Sequence, residues 1–219
     1  MHAHAPDHDH SRHHSQRHFW LAFLVTLVFA GLEAVAGVFS HSLALLGDAG
    51  HMATDSAALA LAALAGWVAA RPASERHSYG LGRVEVMAAL VNTLLMLAIV
   101  AGIGIEAIAR LRQPPAVQAP LVMLVGALGM GTNLAIYKVL EHGDASMNVR
   151  ASLLHVLGDL LGSAAAFLAG FVIWLTGWLP VDPLLSLFIA ALILLSSLRL
   201  LGDASHVLLE GVPRGMDLT

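Results

Sequence analysis

The chain has 219 residues, of which 58% are hydrophobic and 12% charged, about half the roughly 25% charged share of a soluble domain. So few charges cannot clothe a water-soluble surface of this size, and a mean hydropathy of +0.76 places the chain in lipid. The absence of cysteine excludes disulfides and thiolate metal sites, and a formal net charge of −4 without a large basic surface excludes nucleic acid as a partner.

Residues 1–18 hold seven His together with Asp7 and Asp9. Such a tract is expected to be a disordered cytoplasmic tail that binds metal weakly, the alternatives being a tag or a solvated leader. It has no apolar core or small-residue cleavage site of a signal peptide, so the helix after it reads as retained. A bilayer core of roughly 30 Å needs about 20 apolar residues as helix. Six stretches meet that length: 19–39, 44–70, 84–110, 119–140, 151–175 and 183–201. Arg71 and Pro72 open the second connection, Pro114 and Pro115 lie in the third, Glu141 to Arg150 form the fourth and Gly177 to Pro183 the fifth. Lipid offers no partner for backbone N–H and C=O groups, so every stretch is predicted helical. The expected architecture is all-α and polytopic, with a six-helix membrane domain over 19–203 and a short cytoplasmic tail over 204–219.

Lys and Arg set the orientation. Arg12, Arg17, Arg71, Arg76, Arg83, Lys138, Arg150, Arg199 and Arg214 fall on one side of this topology, and only Arg110 and Arg112 on the other. The positive-inside rule then puts both termini in the cytoplasm.

The second stretch contains Gly47-Asp48-Ala-Gly-His51-Met-Ala-Thr-Asp55, and the fifth contains Leu154-His155-Val-Leu-Gly-Asp159. A spacing of four puts His and Asp on one helix face, a turn apart. Ionisable groups inside a membrane are costly and face a bundle interior or a wet cavity, where they need a partner. A divalent cation is one: two His nitrogens and two carboxylates form a ligand set suited to tetrahedral zinc. Helices two and five run antiparallel, with Asp55 about 18 Å from the outer end of its helix and Asp159 about 13 Å from the inner end of its own. Both lie in the middle third of the membrane. A single pair would read equally well as a hydrogen-bonded clamp; two matched pairs favour a metal. Asp48 could orient His51 or admit cations from the outer side, or be a helix N-terminal carboxylate. Glu33, Asn92 and Asn133 could line the same cavity or form interhelical hydrogen bonds. Glu106 can reach water, and Gly158 and Gly162 read as packing positions.

These residues resemble the cation diffusion facilitator family of zinc and cadmium transporters, over about Phe19 to Pro213. The landmarks are Ser42-Leu-Ala-Leu-Leu-Gly-Asp48-Ala-Gly-His51-Met-Ala-Thr-Asp55, His77-Ser-Tyr-Gly-Leu-Gly-Arg83-Val-Glu85, His155-Val-Leu-Gly-Asp159, Val181-Asp-Pro-Leu-Leu-Ser and His206-Val-Leu-Leu-Glu210-Gly-Val-Pro213. The resemblance implies a homodimer in the cell inner membrane whose protomers each carry zinc between helices two and five in exchange for protons. It implies that His51, Asp55, His155 and Asp159 are the metal ligands. The His/Asp composition is similar to that of zinc-preferring members, since harder cations favour all-oxygen sites; cadmium and cobalt are secondary cargo. Members of the family commonly continue into a cytoplasmic ferredoxin-like domain, whereas this sequence stops at Thr219, as a naturally short member or a truncated chain.

Metal binding needs neutral His and ionised Asp, so zinc displaces protons and protons displace zinc. His51 and His155 are the expected proton-coupling groups, because imidazole switches near neutral pH. Zinc is then cargo in an alternating-access exporter. Three other readings compete. An intramembrane metalloenzyme needs an open coordination position and a base, and neither is evident. An accessory or sensor protein without transport of its own is the main alternative. A channel would be hampered by a site that holds its ion too long.

Overall fold

A computed structural model describes the backbone of residues 9–71, 81–141 and 147–209, and the side chains of 24–71, 81–139, 141, 153 and 155–209. Expectations for residues 1–8, for His77 to Gly80 and for Glu210 to Pro213 lie outside the described residues. Among the described residues six helices follow one another: α1 (Asp9–Ser40), α2 (Leu43–Ala69), α3 (Arg83–Arg112), α4 (Ala119–Glu141), α5 (Met147–Thr176) and α6 (Val181–Leu208). Among the described residues there is no strand. Five helices are long and apolar enough to cross a membrane, and α1 adds the apolar segment Leu24–Ser40.

The starts of α2 to α5 lie within a few residues of the predicted ones. Two ends differ more. The first helix begins at Asp9, so residues 9–18 of the expected disordered tail are helical, and α6 runs on to Leu208. The physical reason is that hydropathy marks the stretch that needs lipid, whereas a helix satisfies its own backbone in water or lipid alike. Side chains are distributed inside out. Phe39, Trp67, Ile105 and Trp174 are exposed, while Glu33, Asp48, Asn133 and Asp159 are buried. That is the distribution expected of a bundle whose surface meets hydrocarbon.

α2 touches α1, α3, α5 and α6, while α4 lies along α5 and α3 along α6. The α4–α5 contact brings two backbones together. A Cβ added at Gly126 would stand 2.7 Å from the Phe167 nitrogen, and one at Gly170 would stand 2.9 Å from the Met123 nitrogen. Small residues allow such approach in membranes, where packing replaces hydrophobic driving force. Val122, Val125, Ala166 and Ala169 fill the rest of this seam.

The backbone carbonyls at the junction of α1 and α2 find partners, although the buried Ser40 hydroxyl does not. His41 adopts a positive φ of 57° and reverses the chain. The Phe39 and Ser40 carbonyls accept from the Gln118 side chain and backbone, both at 3.0 Å, and the His41 carbonyl accepts from Arg110 Nη1 at 2.6 Å. Arg110 Nε also donates to Glu106 at 2.8 Å, so Glu106 is an ion-pair partner. At the start of α2, Ser42 Oγ accepts from the Leu45 N–H and donates to Asp182 Oδ1 at 2.6 Å. Asp182, reaching over from α6, also accepts from the Leu43 N–H at 2.7 Å and the Ala44 N–H at 3.3 Å. A buried carboxylate thus takes donors that a helix start leaves without partners, and it complements the dipole. Asp182→Ala is expected to lower stability by about 3 kcal/mol, the sum of a lost cap and buried hydrogen bonds to a charged group. Thermal unfolding of the detergent-solubilised protein checks this. An unchanged midpoint would mean that the cap contributes nothing.

Candidate metal site

The second and fifth helices face each other with the two His-Asp pairs turned toward one another. His51 Nε2 lies 3.4 Å from Asp55 Oδ2 and 3.8 Å from Asp159 Oδ1. His155 Nε2 lies 3.6 Å from the same Asp55 oxygen and 3.7 Å from Asp159 Oδ2. The four residues therefore form a closed ring in which each His nitrogen stands between two carboxylates. Zinc bonds of about 2.0–2.1 Å give a tetrahedron with edges of about 3.3–3.4 Å. The four measured distances are equal to that or a few tenths of an ångström longer, although the two imidazoles approach different oxygens of Asp159, so one atom from each residue does not yet close a single tetrahedron. Ligand atoms of His51, Asp55 and Asp159 lie within 4.8 Å of one another, and the two imidazoles meet edge-on with centroids 6.2 Å apart.

The ring is asymmetric in its access. The side chain of Asp159 is 4% exposed and that of His155 is 47%, so the site opens past His155. Asp55 Oδ2 and Asp159 Oδ1 are buried and accept no hydrogen bond. Buried carboxylate oxygens normally have donors; these two have none. His51 Nδ1 likewise has no partner. Asp48 therefore does not orient His51, one of the roles open to it from sequence.

Asp48 belongs to a different group. Its Oδ2 accepts from Ser163 Oγ at 3.1 Å, and Ser163 accepts from Asn133 Nδ2 at 3.3 Å. Glu33 lies against it within hydrogen-bonding reach. A Cβ at Gly162 would collide with the Asp48 carboxylate, so this glycine gives Asp48 its space, while Gly158 faces nothing. Asn92 is half-buried on α3 with Oδ1 unpartnered, and no described hydrogen bond ties it to either group. Ser163 was not singled out from sequence, although its position four residues after Asp159 puts it on the same helix face.

The sequence matches the family described as the cation efflux transmembrane domain over residues 19–209. This chain belongs to the cation efflux, or cation diffusion facilitator, family. Within it, the zinc transporter ZitB of Escherichia coli (strain K12) is 43% identical over 221 residues, covering 98% of this chain and 71% of that protein. The metal cation efflux system protein CzcD of Cupriavidus metallidurans is 38% identical over 213 residues, 95% of this chain and 67% of that protein. The cadmium, cobalt and zinc/H(+)-K(+) antiporter of Bacillus subtilis is 34% identical over 215 residues, 97% of this chain and 69% of that protein. The family is one of membrane transporters, and the ring of His51, Asp55, His155 and Asp159 is its candidate metal site in this chain.

Proposed function

We propose that this cation efflux protein exports zinc from the cytoplasm in exchange for protons, binding it at His51, Asp55, His155 and Asp159. Cadmium and cobalt are secondary cargo. The observation that carries the reading is the alternating ring of two imidazole nitrogens and two carboxylates, with edges of 3.4–3.8 Å. Two nitrogens and two oxygens suit zinc better than the harder divalent ions. The names of the ZitB, CzcD and Bacillus relatives support the same cargo class and, for the last, exchange against protons.

Zinc holds the ring when both imidazoles are neutral and both carboxylates ionised; protons arriving at the same atoms release it. Since α2 and α5 each supply one pair, a small relative movement of these helices separates the pairs and opens the site to the opposite face. The excess of Lys and Arg supports an orientation with both termini in the cytoplasm of an inner-membrane protein. The exposed apolar surface leaves room for a homodimer within the membrane.

Purified protein in liposomes tests this. Zinc is expected to move against its gradient when protons run the other way, and to cease doing so when the pH difference is collapsed by an ionophore. Zinc flux indifferent to the pH difference would remove the antiport, and no flux from the purified protein would favour an accessory role.

A further inference from the structure

A second buried carboxyl pair lies beside the metal ring and is separate from it. Glu33 on α1 is 0% exposed, Asp48 on α2 is 2% exposed, and neither Glu33 oxygen meets a hydrogen-bond donor. The group lying against Glu33 is the Asp48 carboxyl. Asp48 has the donor Ser163, which is itself held by Asn133, so one acid of the pair is furnished with donors and the other has none. Two carboxylates side by side in a protein interior repel, so they share a proton unless a positive charge is brought near them. One proton turns the repulsion into a hydrogen bond from Glu33 to Asp48 and removes the unsatisfied group.

We infer that Glu33 and Asp48 together bind one exchangeable proton, at a site distinct from the zinc ligands. The inference rests on the antiport reading above, in that this proton is one of those exchanged for zinc. The pair is three residues from His51 along α2, and Ser163 is four from Asp159 along α5, so it lies about one helical turn from the ring, toward the Asp182 end. Of the titratable groups around it, His51 lies one turn along α2, and Asp159 lies one turn along α5 from Ser163, the donor to Asp48. From α3 and α6 the side chains facing Asp48 across a cavity of about 10 Å³ are Ile103, Ser186, Ile189 and Ile193, none of them titratable. That cavity has the size of a single water.

Asp159 is what couples the two sites. With zinc absent, its negative charge favours keeping the proton on the pair; zinc on Asp159 cancels that charge and favours release. By reciprocity a proton on the pair weakens zinc binding by the same factor. In the export cycle the proton is taken from water on the outer face as zinc leaves, and returned to water on the cytoplasmic face as the next zinc binds. No bond other than O–H is made or broken.

Protons released per zinc, measured by titration calorimetry in buffers of different ionisation enthalpy, decide the matter. Glu33→Gln puts an amide donor where the neutral acid stood and keeps the contact to Asp48, now permanently ionised. Asp48→Asn leaves Glu33 neutral throughout. Each variant is expected to release about one proton fewer per zinc than the parent, so that its zinc affinity rises with pH less steeply, by about tenfold less per pH unit where the pair gives up its proton, and meets the parent's at lower pH. Infrared spectra of the zinc-free protein are expected to show a protonated-carboxyl band that zinc removes in the parent, that is missing in Glu33→Gln, and that zinc no longer removes in Asp48→Asn. Unchanged proton release in the two variants would overturn the inference. So would a loss of zinc affinity of tenfold or more in either variant that is the same at every pH, which would make the pair a metal site. A parent whose flux ignores the pH difference would instead sink the antiport reading, without altering the proton count.

Discussion

Asp159→Asn is expected to abolish zinc transport while leaving the zinc-free protein at least as stable as the parent. The two effects have one cause. Asp159 is buried with Oδ1 unpartnered, and a buried carboxylate without its counter-charge costs stability. Asparagine removes that charge at nearly constant volume. What disappears is the ligand: structural zinc sites bind with roughly 10–16 kcal/mol, so one ligand of four accounts on average for about 3 kcal/mol, or about 100-fold in affinity. At a zinc concentration 100 times the parent's Kd, zinc stabilises the parent by about 2.7 kcal/mol and such a variant by about 0.4 kcal/mol. Thermal unfolding with and without zinc, read beside liposome flux, checks both signs. Full zinc-dependent stabilisation in Asp159→Asn would take this residue out of the ligand set, and a large loss of zinc-free stability would make it a structural acid.

Much of this site is legible in the sequence because its signal is local. Four-residue spacing places His51 with Asp55 and His155 with Asp159 on single faces, and apolar runs of sufficient length report the helices that carry them. What the sequence does not carry is the partner of a polar group on another helix. Nothing near Asp182 says that it caps a helix starting at Leu43, 140 positions from Ser42 by its closest contact. Likewise Glu33 and Asp48 each look like an isolated membrane acid until α1 and α2 are packed together. The start of α1 and the end of α6 are hidden for a different reason: residues 9–18 and 202–208 are helical without being apolar, so hydropathy is silent about them.

Gly126→Val is expected to cost both stability and zinc affinity, although Gly126 is on a helix that supplies no ligand. A Cβ there would stand 2.7 Å from the backbone nitrogen of Phe167 and 3.0 Å from its Cα. Backbone cannot turn aside as a side-chain end can, so α4 and α5 must separate. Overpacking of this kind costs about 1–3 kcal/mol, and the second branch of valine puts the expectation at the upper end. α5 carries His155, Asp159 and Ser163 and is held along most of its length by α4, with a smaller contact to α2. Displacing α5 by even 1 Å lengthens the edges of the ring beyond what zinc bonds of about 2.0–2.1 Å can span. Gly131→Ala, on the same helix with nothing within 4 Å of the added carbon, is the control. There the gain in helix propensity is about 1 kcal/mol and nothing is pushed apart, so affinity is expected to hold and stability to rise slightly. Zinc titration and unfolding of the two variants side by side separate the readings. If Gly126→Val kept the parent's affinity, α5 would not be positioned by α4, and the ring would have to be held by the contacts of α5 with α2 and α6.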